Sequence, residues 1–95
     1  MNRIEFSQKS KIELIDAWEW YESRQKGLGD KFIYEVEKKV NTIIKYPKRF
    51  PIRSEPFRET LINKFPYIII YFIFENRIII SHIFHAARNP KRKYR

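Results

Sequence analysis

Residues 65 to 84 read FPYIIIYFIFENRIIISHIF, and this stretch limits the possible folds more than any other. Its two runs, YIIIYFIF and RIIISHIF, are β-branched and aromatic, and the link EN between them is short enough only for a hairpin. The first run is apolar at consecutive positions, so both its faces need cover, which suits a central strand. A third run, FRETLIN, precedes it across KFP, another hairpin-length link. The second half of the chain is therefore a meander of strands, and something else must cover it.

The first half supplies that cover. NRIEF reads as a short first strand. Ser7 or Ser10 then caps a helix, and Ser10 with Glu13 has the S-x-x-E spacing of a capping box. Leu14, Ala17, Trp18 and Tyr21 share one face of that helix, with Glu13, Asp16 and Glu19 away from it. Gly27 is the expected helix stop. From Asp30 to Lys45 a second helix places Phe32, Val36, Val40 and Ile43 on one stripe, and Pro47 ends it. The short KGLG link makes the two helices antiparallel neighbours. The expected fold class is α+β, in the order β-α-α-β-β-β, with a helical hairpin packed on one face of an antiparallel sheet.

At 95 residues, with 43% apolar side chains and only two glycines, the chain is expected to be a single domain over residues 1–95. It has no cysteine and two histidines, which excludes disulfides and thiolate metal sites and leaves neither a metal nor another cofactor to expect. The first ten residues lack the apolar core of a signal peptide, and YIIIYFIF is far shorter than the roughly 20 residues that span a bilayer. A cytoplasmic protein without membrane contact is expected.

The net charge of +9 is unevenly placed. Residues 1–44 carry eight basic and eight acidic side chains, whereas residues 45–95 carry twelve basic ones against Glu55, Glu59 and Glu75. After Glu75 there is no acid, and residues 88–95 form a basic tail holding Arg88, Lys91, Arg92, Lys93 and Arg95. Such asymmetry points to phosphate or to an acidic partner, or else to a solvated face.

In this order, WYESRQKGLGDKF, IIKYPKRFP, FPYIIIY and IFHAARNP together resemble the RelE/ParE superfamily, the toxins of type II toxin-antitoxin pairs, in particular its ParE-like, plasmid-stabilisation members. The resemblance implies a small basic toxin held inactive by a cognate antitoxin, expected to be encoded beside it, whose C-terminal segment wraps around it. Within the superfamily, RelE-like members are ribosome-dependent ribonucleases that cut mRNA, and ParE-like members poison DNA gyrase.

For the ribonuclease reading, Arg88 and Tyr94 have the spacing of the arginine and C-terminal tyrosine that RelE-like enzymes use. His85 is a histidine, the residue type suited to act as a general acid or base near neutrality. Against it, Ile68 stands where the resemblance implies an arginine before the core of the third strand. Arg58 is expected roughly 15 Å or more from His85, and Lys64, beside the end of the last strand, is the better placed cation. The balance favours a gyrase-directed toxin. In that reading Lys64, Arg88, Lys91, Arg92, Lys93 and Arg95 contact a target or nucleic acid, and His85, Arg88 and Tyr94 are catalytic only if the protein is a ribonuclease. A third reading is a non-catalytic, nucleic-acid-binding remnant of the superfamily. His82 is expected to be a half-buried structural histidine, and Trp20 to meet the sheet edge or to mark a contact surface.

Overall fold

The computed structural model describes residues 3–87, and in it the apolar hairpin is the spine of the domain. Strand β1 (Arg3–Phe6) is followed by helices α1 (Gln8–Arg24) and α2 (Leu28–Lys45) and by strands β2 (Ile52–Ser54), β3 (Phe57–Leu61), β4 (Tyr67–Phe74) and β5 (Arg77–His85). The five strands form one sheet in the order β1-β5-β4-β3-β2, so the run that is apolar on both faces is the central strand. Pairing is antiparallel from β2 to β5, and β1 joins β5 in parallel. The helical hairpin lies on one face, as the sequence predicts. Two features extend that prediction: the sheet is mixed because of β1, and β2 adds a short outer strand.

The core forms where helix period meets strand period. Phe32, Val36, Val40 and Ile43 of α2 are buried against Ile69, Tyr71, Ile78, Ile80 and Ile83 of the sheet. Tyr21, Phe32, Phe65 and Tyr67 form an aromatic cluster, with ring centroids 4.9–6.1 Å apart. Burial of such side chains, about 1.5–3 kcal/mol each, is what holds a domain of this size together. The Tyr71 hydroxyl donates a 2.6 Å bond to the carbonyl of Pro47, and burial pushes its pKa up to about 12.

At the helix ends one alternative of the sequence reading holds and the stop at Gly27 shifts. Ser7, not Ser10, is the N-cap of α1: its Oγ accepts from the Ser10 amide at 3.0 Å, and the buried Ser10 hydroxyl donates back to the Ser7 carbonyl. Helix α1 ends at Arg24, before Gly27, which is the N-cap of α2 at φ +88°. Gly27 has no side chain to cap with. The Glu22 carboxylate of α1 takes that role, accepting the amides of Gly27 and Gly29 at 2.9 Å each, so α1 caps its own neighbour. No helix among the described residues is long and apolar enough to cross a membrane.

Candidate functional site

The end of the sheet where β5 finishes is shaped by a difference in strand length. β1 stops at Phe6, opposite Ile80, while β5 runs on to His85, so residues 81–85 lack a β1 neighbour. Helix α1 covers this edge. The Ser7 hydroxyl donates to the Ser81 carbonyl at 2.8 Å, and the Ile83 amide donates to Glu13 Oε1 at 2.9 Å. Glu13 was expected to face away from the helix's apolar stripe; instead its carboxylate supplies the acceptor a longer β1 would have provided. Burial raises its pKa, only partly countered by the Ile83 amide and by Lys9.

The pairing also shifts between Ile70 and Tyr71: Ile70 lies opposite His82 and Tyr71 opposite Ile80, leaving Ser81 as a bulge. Ile80 and Ile83 both stay buried, an arrangement that strict alternation would forbid. His82 is 8% exposed, with Nδ1 3.7 Å from Glu13 Oε1 and no hydrogen bond to it among the described residues. Burial, then the charge of Lys9, holds its pKa below the ordinary histidine value. It is a structural histidine, more buried than the sequence suggests.

His85 pairs with Tyr67, its ring 5.1 Å from the tyrosine ring, on the face that carries the helices. Its Nδ1 accepts the Ala87 amide at 3.1 Å, which fixes the tautomer and ties the turn leaving β5. Around it lies a cleft of about 450 Å³ whose walls include Glu13, Asp16, Trp20, Tyr67 and Phe84. Trp20 both meets the strand end and stays 42% exposed, with the Arg24 guanidinium 4.4 Å from its ring centre. Glu13 and Asp16 make the described walls of this cleft acidic.

The other candidate residues lie elsewhere. Ile68 pairs with Leu61 and Phe84 on the sheet face away from the helices, in a groove of about 380 Å³ shared with Phe50, Arg53 and Glu59. His85 and Ile68 therefore serve opposite faces. Lys64 sits in the β3–β4 turn at φ +69°, and its largely exposed ammonium lies 3.7 Å from Oε2 of the buried Glu35 on α2, outside the His85 cleft. Arg58 pairs with Tyr71, four residues along β4 from the partner of His85, or about 13 Å. Its guanidinium donates to the carbonyls of Lys48 and Phe50 and holds the loop after α2. Arg88, Lys91, Arg92, Lys93, Tyr94 and Arg95 lie outside the described residues.

Sequence reasoning missed the buried acids. Glu35 sits three residues after Phe32 and beside Val36, on the border of the buried stripe, a position that could have flagged it. Glu13 gave no such signal, because its role depends on where β1 ends.

Comparison with known proteins adds an independent line. The family model described as ParE toxin of type II toxin-antitoxin system, parDE, matches residues 4–90. A solved structure described as a chromosomal ParDE TA system from P. aeruginosa superposes with a TM-score of 0.80 at 13% identity, covering 90% of this chain and 96% of that one. At that identity the likeness concerns the fold. No curated protein matches the chain in sequence.

Proposed function

The chain belongs to the ParE toxin family of type II toxin-antitoxin systems, and from that premise we propose that it poisons DNA gyrase by binding it and is kept inactive by a cognate antitoxin. The observation that carries this reading over a ribonuclease is that the position where the resemblance implies an arginine is the apolar Ile68, on the sheet face away from His85. His85 faces an acidic, aromatic cleft on the helix side, and Ile68 puts an apolar side chain on the opposite face. Cleavage by the 2'-OH needs a proton acceptor and phosphate-stabilising cations on one side of one substrate. A toxin that acts by binding needs no such convergence.

The antitoxin reading is supported by an apolar seam beside the outer strand β1. Ile4 and Phe6 of β1 with Ile33, Val40 and Ile44 of α2 line a hollow of about 280 Å³ next to the outer edge of β1. An extended or helical partner segment would cover the apolar seam, and an acidic one would offset the positive charge. The protein would act in the cytoplasm, where gyrase is. The test is a gyrase supercoiling assay run beside a ribosome-dependent mRNA cleavage assay on the same purified protein. Inhibited supercoiling with intact mRNA is the expected result, and cut mRNA with unaffected gyrase refutes it.

A further inference from the structure

Residues 38–54 carry six cations, Lys38, Lys39, Lys45, Lys48, Arg49 and Arg53, and not one acid. They span the last two turns of α2 and the loop that leads to β2 and β3, and neither the His85 cleft nor the seam at β1 uses their charge. Lys38 is engaged by Glu35 at 3.3 Å. Among the described residues, Lys45, Lys48 and Arg49 have no ion pair with an acid. Tyr46 stands 44% exposed between them. The Arg49 guanidinium lies 4.1 Å from its ring centre and the Lys45 ammonium 5.7 Å away. Two cations thus flank one aromatic ring, and Lys48 joins Tyr46, Pro47 and Arg49 in lining an adjacent hollow of about 380 Å³.

This surface is held in shape from below. The Tyr46 amide closes onto the Thr42 carbonyl at 2.8 Å, and the Arg49 amide onto the Tyr46 carbonyl at 3.1 Å. Tyr71 fixes the Pro47 carbonyl from the core, and Arg58 fixes the carbonyls of Lys48 and Phe50. The main chain is therefore bonded inward while the charged side chains point outward. Complementing the α2 dipole explains Lys45, which lies in the last turn. It does not explain Arg49, four residues further on and placed over a ring. A guanidinium held over an aromatic face can still offer N–H groups to phosphate oxygens.

We propose that Lys45, Lys48 and Arg49, beside Tyr46, form a docking surface for the phosphate backbone of duplex DNA. The choice of DNA rests on the gyrase reading, since that enzyme presents duplex DNA beside its protein surface. Contacts of this kind position a protein without reading sequence, so binding is independent of base composition.

The test is fluorescence anisotropy of the full chain with a labelled duplex across a salt series, using the wild type and the triple variant K45A/K48A/R49A. The substitutions remove none of the bonds that hold the loop. Each phosphate contact contributes about 0.9 to the slope of log K against log salt, so the triple variant should be shallower by roughly 2 to 3. A slope and affinity equal to the wild type overturn the proposal. So does an equal loss of binding to an acidic peptide with none for the duplex, since that assigns the surface to a protein partner. A single-stranded RNA bound more tightly than the duplex through the same three residues overturns the choice of DNA. A supercoiling assay on the same samples separates the two ideas. A wild type that binds duplex through these residues but spares gyrase refutes the gyrase reading alone. Inhibition of gyrase with an unchanged slope refutes the docking surface alone.

Discussion

Gly29→Ala tests the tight crossing of α1 and α2. A Cβ at this position would lie 2.7 Å from the Trp18 carbonyl oxygen, 2.8 Å from Trp18 Cδ1 and 2.9 Å from Glu22 Oε1, whereas ordinary contact begins at 3.4 Å. The nearest atom is main chain, so no rotamer change relieves the clash and α1 and α2 must move apart. Overpacking of this kind costs about 1–3 kcal/mol. Replacing glycine inside a helix returns about 0.5–1 kcal/mol, leaving a net loss centred on about 1 kcal/mol. For a domain of this size that is a drop in Tm of about 4–8 °C, read by circular dichroism. Gly27→Ala is the control: nothing lies within 4 Å of its added Cβ, but φ is +88°, so the loss of about 1–2 kcal/mol comes from backbone conformation alone. Asparagine separates the two, being milder than alanine at position 27 and worse at position 29. A Tm for Gly29→Ala equal to or above the wild type, the normal outcome of Gly→Ala in a helix, would refute the tight crossing.

Three further outcomes follow from the same geometry. Glu22→Ala leaves the amides of Gly27 and Gly29 without their acceptor and should lower stability by about 1–3 kcal/mol, seen as a lower urea midpoint at constant slope. Tyr71→Phe removes the donor to the Pro47 carbonyl; a loss of about 1–2 kcal/mol and faster hydrogen exchange in residues 46–51 are expected, and unchanged exchange there would contradict the tie. His82 has a folded pKa below its ordinary value, so its neutral form favours folding. That contribution is full above about pH 6.5 and is lost as pH falls through 6.5 toward the folded value. Glu13, with a raised pKa, acts in the opposite sense and adds stability as pH falls from its folded value toward 4.5. Urea midpoints of His82→Gln should therefore fall less than those of the wild type between pH 7 and 5.5, and equal falls would contradict the burial argument.

The parts of the structure legible in the sequence are those that repeat locally. The stripe Phe32, Val36, Val40 and Ile43 and the runs of β4 and β5 carry their period in adjacent residues, and all four stripe positions are buried. The parts that were not legible depend on distant partners. Strand β2 is three exposed residues with no period to read, defined only by its pairing with β3. The parallel docking of β1 joins residues more than 70 positions apart. The bulge at Ser81 breaks regular strand alternation between Ile80 and Ile83, and Glu13 is an edge cap because β1 is shorter than β5. The placement of His85 and Ile68 on opposite faces follows from β4 alternation, so that part of the candidate site was open to inference from the sequence once the pairing register was known.

The central claim is that this toxin acts by binding gyrase and not by cutting RNA. The most direct measurement is inhibition of gyrase supercoiling by the purified wild type and by His85→Ala. His85 ties the turn after β5 through its Nδ1, so the claim predicts that both proteins inhibit, with the variant weakened only by a looser turn. Gyrase left active by both proteins, together with mRNA cleavage on ribosomes that disappears in His85→Ala, would contradict it.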